Sequence, residues 1–172
     1  MRWWTMRRWA LGLGVLAAWA ALAGCDQQRA SKLEPGVATE ADLQREFGQP
    51  ARIIEKADGT KLYEYPRQPE GVTNYLAVIG ADGKLSALTQ QLTPENFAQV
   101  QPGMTQAAVR SLLGKPAGSQ RFDLKPDEEH WTWRFEETGG HRRVFTVTFD
   151  REGRVKAASV GEDPRDTQIG GK

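Results

Sequence analysis

The chain has few of the residues that build metal or disulfide sites. Its 172 residues include one cysteine and two histidines, which excludes an intramolecular disulfide and a Cys-rich zinc site. The formal net charge is only +1. The chain therefore lacks the excess of basic residues that is typical of nucleic-acid-binding proteins. The sequence also lacks a Gly-x-Ser-x-Gly elbow, a phosphate-binding loop and a His-Glu-x-x-His motif. We therefore expect a protein that is not an enzyme and that uses no cofactor, metal or nucleic acid.

The first 24 residues differ from the rest of the chain. Arg2, Arg7 and Arg8 precede an apolar run over 10–23, which is shorter than the roughly 20 residues needed to cross a bilayer. A basic segment followed by such a run is typical of a secretory signal peptide, which we place at 1–24. The Arg7-Arg8 pair leaves twin-arginine export open as an alternative, although the residues around the pair fit that signal poorly.

The leader ends in Leu22-Ala23-Gly24-Cys25, which resembles a bacterial lipobox. The resemblance implies signal cleavage between Gly24 and Cys25 and a diacylated Cys25 thiol. Two or three acyl chains hold a protein stably at a membrane, whereas a single chain binds only marginally. The alternative is an ordinary secreted protein with a free cysteine. Asp26 directly after a lipidated cysteine favours inner-membrane retention in enteric bacteria, a rule that varies among bacteria.

Cleavage at this position would leave a slightly acidic body of 148 residues. The leader holds three of the 23 basic residues, so 20 remain against 22 acidic residues and the net charge becomes about −2. We expect residues 25–34 to consist of the lipidated Cys25 and a flexible tether, because residues 26–34 are mostly polar. Residues 161–172 contain few apolar side chains that could pack in a core, so we expect a disordered tail there.

The body contains an internal repeat, which we place at 35–91 and 92–160. Pro35-Gly36 opens the first copy, and Pro102-Gly103 lies at the matching point of the second. Further aligned positions follow at offsets of 66, 68 or 70 residues: Thr39 with Thr105, Gly48 with Gly114, Pro50 with Pro116, Tyr63 with Trp131, Tyr65 with Trp133, Tyr75 with Phe145, and Ala77 with Val147.

Each copy is predicted to contain one or two short helices followed by an antiparallel β-meander of three to four strands. Thr39 has capping-box spacing to Asp42, Thr105 caps the matching helix, and Thr93-Pro94 starts a further short helix. Alternating apolar residues predict eight strands, at 53–54, 62–65, 74–79, 85–88, 121–124, 130–136, 143–150 and 154–159. Consecutive strands of this kind give an α+β fold.

Two groups of charged residues are candidates for binding. The acidic runs at 127–129 and 136–137 are interpreted as solvated loop charge rather than as a cation site. Arg142-Arg143 could contact anionic headgroups, but it lies far along the chain from Cys25, so this role is not the favoured interpretation.

The aromatic stripe of Trp131, Trp133 and Phe135 is interpreted as core rather than as a binding face. His130 lies on the opposite, wet face of the same predicted strand, and His141 lies in a Gly-Gly turn.

The stretch 100–116 resembles the BamE (SmpA/OmlA) lipoproteins, and the first copy is a weaker version with Ala38 inserted. Tandem copies of this unit are similar to the β-lactamase inhibitor protein fold, whereas BamE itself has one copy. The motif residues encode helix caps and stops, and so identify a fold more than a function: Gly103, Met104, Thr105, Gly114 and Pro116.

The resemblance implies a non-catalytic lipoprotein on the periplasmic face of the outer membrane. It would be an accessory factor in β-barrel protein assembly, with the assembly machinery as its protein partner and a lipid anchor to the membrane. The alternative from another class is a periplasmic binding or inhibitor module that docks a soluble protein. An enzyme is the third hypothesis, which a pocket bringing His130 or His141 next to a carboxylate would favour.

Overall fold

The computed structural model describes residues 25–169, with side chains described for 26–166. The predicted signal peptide at 1–24 and its cleavage residue Gly24 therefore lie outside the described residues. The elements in chain order are α1 (Cys25–Ala30), α2 (Glu40–Phe47), β1 (Arg52–Glu55), β2 (Lys61–Pro66), β3 (Asn74–Ile79), β4 (Leu85–Gln90), α3 (Pro94–Ala98), α4 (Gln106–Leu113), β5 (Gly118–Phe122), β6 (Lys125–Glu136), β7 (Arg142–Phe149), β8 (Val155–Glu162) and α5 (Pro164–Ile169).

The predicted α+β fold is confirmed. Two four-stranded antiparallel meanders, ordered β1-β2-β3-β4 and β5-β6-β7-β8, each follow short helices and give two repeat-like halves. The strand predicted at 121–124 is wrong at its end, because β5 stops at Phe122 and Leu124 lies in a tight turn. The acidic run at 127–129 is also not a loop, since β6 already begins at Lys125.

Threonine caps start α2, α3 and α4, as predicted. At α2, Thr39 Oγ1 accepts the Asp42 backbone N–H at 3.3 Å, and Asp42 Oδ2 accepts the Thr39 backbone N–H at 2.9 Å. Thr105 caps α4 and Thr93 caps α3 through their side chains alone, which accept the backbone N–H of Ala108 and Asn96, and proline lies at the first position of α3. These bonds satisfy amides that a helix start leaves free.

The α2 capping box predicts a pH-dependent stability. Hydrogen bonds from the backbone and side chain of Thr39, and then from Arg45, lower the pKa of Asp42 to about 2. Because the folded-state pKa lies below the unfolded value, this stabilisation is present above about pH 4 and is lost as the pH falls toward about 2. Thermal melts at pH 5 and pH 2.5 should show a larger drop for wild type than for Asp42→Asn. Equal drops would contradict the capping role.

A glycine with positive φ pairs with the last strand in both halves. Gly36 N donates to Leu85 O at 2.7 Å, and Gly103 N donates to Val155 O at 2.8 Å. Their φ values of 82° and 86° lie in a region that favours glycine. Pro35-Gly36 and Pro102-Gly103 therefore bring the chain to the last strand of each sheet through the same backbone hydrogen bond.

The residue inserted in the first half is Val37 rather than Ala38. Leu85 N donates to Ala38 O at 2.8 Å, just as Val155 N donates to Met104 O at 2.9 Å. Ala38 is thus the structural counterpart of Met104. Val37 is the extra residue, and its side chain is exposed to solvent.

Each sheet packs one face against its helices and buries a separate core. The first core contains Leu33, Leu43, Phe47, Tyr63, Tyr65 and Tyr75, among others. The second contains Val109, Leu113, Trp133, Phe135, Phe145 and Phe149, among others. The core interpretation of the aromatic stripe is confirmed for Trp133 and Phe135, while Trp131 is half-buried at the core's margin.

The flexible tether predicted at 25–34 differs from the structure. Residues Cys25–Ala30 form α1, and Leu33 is buried in the first core. Asp26 is buried as well, because Arg67 and Arg29 both bind its carboxylate. A polar sequence could not reveal this order, since the ordering partner Arg67 is 41 residues away.

The disordered tail predicted from residue 161 also differs from the structure. Strand β8 continues to Glu162, and α5 covers Pro164–Ile169. Asp163 between them is fully buried, pairs with Arg134 and accepts the Arg165 backbone N–H at 3.0 Å. The buried Asp163–Arg134 pair thus helps to hold a segment whose composition indicates disorder, together with the Arg165–Glu70 and Arg143–Glu162 ion pairs.

Replacing Asp163 with alanine should lower the free energy of unfolding by about 1–3 kcal/mol, because it leaves the Arg134 guanidinium buried without its carboxylate partner. The matched control is Asp166→Ala, at an exposed aspartate of α5, which should change stability by less than about 0.5 kcal/mol. Urea denaturation of both variants provides the measurement. Indistinguishable variants would mean that the tail is not held by this pair.

Candidate docking surface

The C-terminal end of α4 is one place where the two halves meet. Buried side-chain amides of the first half donate to carbonyls at this end: Asn74 to Leu113 (2.8 Å) and Lys115 (2.9 Å), and Gln91 to Ser111 (3.0 Å) and Leu112 (3.2 Å). Arg110 also pairs with Glu64 of β2 at 2.7 Å. The first half therefore caps the helix of the second, since those carbonyls have no intrahelical partner.

Gly114 allows this close approach. Its φ is +74°, and a Cβ atom there would meet Gln91 Oε1 at 2.6 Å and Asn74 Nδ2 at 2.9 Å. The indole of Trp133 donates to the Gly114 carbonyl at 3.1 Å. Glycine at this position therefore serves both the helix end and the junction between the halves.

The five motif residues all lie at the two ends of α4. Gly103 and Thr105 form its start, and Met104 packs against the second core. Gly114 and Pro116 follow its end. These positions give the five residues a structural role at the helix ends. None of them lies at a ligand site in the part of the chain that the structure describes.

The tip of the β5–β6 hairpin exposes apolar side chains. Leu124 in the turn is 97% exposed, and Phe122 beside it is 45% exposed. The matching turn of the first half, between β1 and β2, has Ala57 and Asp58 instead. Exposed large apolar side chains are favoured contacts in protein interfaces, whereas a solvated turn is usually polar.

A cleft of about 290 Å³ adjoins this tip on the sheet face that points away from α4. The ring of Phe122 packs edge-on against His130 with centroids 5.1 Å apart, and both side chains line the cleft. Other lining residues are Gly118, Gln120, Thr132 and Thr146. We call Phe122, Leu124 and this cleft the hairpin-tip surface.

His130 does not form a hydrogen-bonded pair with a carboxylate in this cleft. Its Nε2 lies 3.6 Å from Glu128 Oε2, which is too long for a hydrogen bond, and its Nδ1 contacts Thr148 Oγ1 at 3.2 Å. Lys156 binds Glu128 at 2.7 Å, and this hydrogen bond lowers the pKa of Glu128. Glu128 thus forms an ion pair with Lys156 and lies near His130 without a hydrogen bond to it. His141 lies in the β6–β7 turn, as predicted.

Glu129, next in the same acidic run, is also hydrogen-bonded. Hydrogen bonds from the Trp131 indole, and then from Arg121 and Gln106, lower the pKa of Glu129. Across 26–166 there is no group of three or more residues that could hold a metal ion.

Of the Arg142-Arg143 pair, Arg143 binds Glu162 and Glu137, while Arg142 lies opposite Glu136 at the end of β6. No helix in the described part of the chain is long and apolar enough to cross a membrane.

The comparisons with known proteins bear on the second half. Residues 90–159 match a family model described as the outer membrane protein assembly factor BamE domain. No curated protein matches the chain. The matched stretch runs from the end of β4 to β8 and includes α4, the second core and the hairpin-tip surface. The resemblance found in the sequence is therefore confirmed over this stretch, which is similar to the BamE domain.

Proposed function

We propose that this protein is a lipid-anchored, non-catalytic accessory factor for β-barrel assembly at the periplasmic face of the outer membrane. The observation that carries the proposal is the BamE domain at residues 90–159, whose family description names outer-membrane protein assembly. The hairpin-tip surface lies within this domain and supplies exposed apolar groups for a protein partner.

The proposed anchor is Cys25, which is the first residue of α1. Metabolic labelling with a palmitate analogue should mark the wild-type chain, and Cys25→Ser should lose both the label and the membrane association. A labelled Cys25→Ser variant would contradict acylation at this residue.

The proposed location is the outer membrane. Asp26 is the residue expected to favour inner-membrane retention, but its carboxylate is buried and bound by two arginines. A carboxylate held in this way is not displayed to a sorting factor, which supports the outer membrane. Fractionation should place both wild type and Asp26→Ser there. Movement of the protein from the inner to the outer membrane in Asp26→Ser would contradict this account.

A pull-down from solubilised envelopes tests the function. The tagged wild-type protein should recover subunits of the barrel-assembly machinery. Leu124→Asp should reduce recovery at least about tenfold, because loss of an apolar interface anchor costs about 1.4–2 kcal/mol or more. The matched control is Asp58→Lys at the corresponding turn of the first half, which should leave recovery unchanged. Recovery of one soluble periplasmic protein instead would favour the binding-module alternative.

A further inference from the structure

We propose that α1 fixes the membrane anchor at one end of the folded body and directs the hairpin-tip surface away from the membrane. This inference rests on the lipid anchor of the proposed function. It concerns the orientation of the body, which a flexible tether at 25–34 would leave free.

The residue next to the proposed anchor is tightly held. Asp26 accepts hydrogen bonds from Arg67 Nε at 2.6 Å and Arg67 Nη2 at 3.2 Å, and Arg29 Nη1 lies 3.3 Å away. The Arg67 guanidinium also lies over the Phe47 ring, 5.8 Å from its centroid. We call Asp26, Arg29 and Arg67 the anchor clamp. It leaves no free chain between Cys25 and the folded body.

Further contacts hold the segment that follows. Ala30 packs against the first core, Leu33 is buried in it, and Lys32 pairs with Glu46 at 3.2 Å. A free tether of nine residues would let the body move about 15–18 Å from its anchor. With the clamp closed, the loop between β2 and β3, which carries Arg67, lies beside the anchor.

The same loop contacts the far end of β6. Gln68, directly after Arg67, donates from its side-chain amide to Arg134 O at 2.7 Å and accepts from Arg134 N at 3.2 Å. The hairpin tip lies at the opposite end of this strand, where β6 begins at Lys125. The nine-residue separation corresponds to about 30 Å along an extended strand. The anchor and the hairpin-tip surface therefore lie at opposite ends of β6.

This arrangement defines the kind of partner that fits. The hairpin-tip surface would meet a protein whose binding site stands about 30 Å from the bilayer, rather than a site at the lipid surface. We expect the partner to be a periplasmic domain of a membrane-attached assembly protein, because such a domain can present a binding site at this distance from the bilayer.

Depth-dependent fluorescence quenching tests the orientation. Acylated protein purified from membranes is reconstituted in vesicles that carry a nitroxide on the lipid headgroup. A thiol-reactive fluorophore is placed at Glu70→Cys in the β2–β3 loop or at Leu124→Cys, since the only native cysteine is the anchor. The label at position 70 should be quenched about tenfold more than the label at 124, because the β2–β3 loop contacts one end of β6 and the hairpin tip lies about 30 Å away at its other end. Arg67→Ala opens the clamp and should reduce that ratio.

Vesicle flotation separates the two ways in which the idea can fail. A chain that does not float with the vesicles contradicts the lipid anchor and overturns the orientation with it. A chain that floats but shows equal quenching at both positions, or stronger quenching at 124, overturns the orientation alone. A quenching ratio that is unchanged in Arg67→Ala shows that the clamp does not set it.

Discussion

Replacing Trp133 with alanine is expected to lower the free energy of unfolding by about 3–5 kcal/mol, the range typical of a large aromatic side chain removed from a core. The side chain is fully buried, packs near Trp131 and Phe145, and donates to the Gly114 carbonyl. Its loss leaves a cavity in the second core and removes a bond that helps to cap α4. Guanidinium denaturation monitored by far-UV circular dichroism measures the effect.

Trp131→Ala is the matched control for this variant. Trp131 lies two residues away on the same strand face, but it is only half-buried and its indole bonds to Glu129 at the surface. We expect the free energy of unfolding to fall by about 1–2 kcal/mol, because the Trp131 side chain buries less apolar surface on folding than the Trp133 side chain does. Equal losses for the two variants would contradict the placement of Trp133 at the centre of the core.

Gly114→Ala is expected to destabilise the protein by about 3–5 kcal/mol, combining backbone strain with overpacking. The new methyl group would overlap Gln91 and Asn74, whose amides cap the end of α4. The variant therefore loosens the junction between the halves as well as the helix end. Thermal and urea denaturation measure the loss.

The internal repeat supplies the control, because Gly48 ends α2 as Gly114 ends α4. Gly48 has nearly the same φ, 79°, and no atom lies within 4 Å of a Cβ placed there. Gly48→Ala should therefore cost only the backbone strain, about 1–3 kcal/mol. A Gly48→Ala loss as large as that of Gly114→Ala would mean that the junction does not restrict this position.

Local signals in the sequence predict the helix starts and most strands correctly. Thr39, Thr93 and Thr105 each cap a helix because the cap and the amide that it binds are three residues apart. The alternation around Trp133 predicts its burial because side chains of a strand alternate between two faces. Information within a few residues is sufficient for such features.

Features that depend on distant partners could not be predicted in this way. The order of α1 depends on Arg67, and the order of the tail depends on Arg134. Asn74 gives no signal of its role at the end of α4, because its acceptors are about 40 residues away in the chain. The sequence pattern places Leu124 in a strand, because an apolar residue in a turn cannot be distinguished by local sequence from an apolar residue at the end of a strand.

Site-specific photo-crosslinking in intact cells tests most directly whether the BamE-like second half docks through its hairpin tip. The crosslinking group is placed at Leu124, and at Asp58 in the matching turn of the first half. We predict an adduct between position 124 and a subunit of the barrel-assembly machinery, with no such adduct from position 58. The absence of that adduct from position 124, or an equal yield from both positions, would contradict the account.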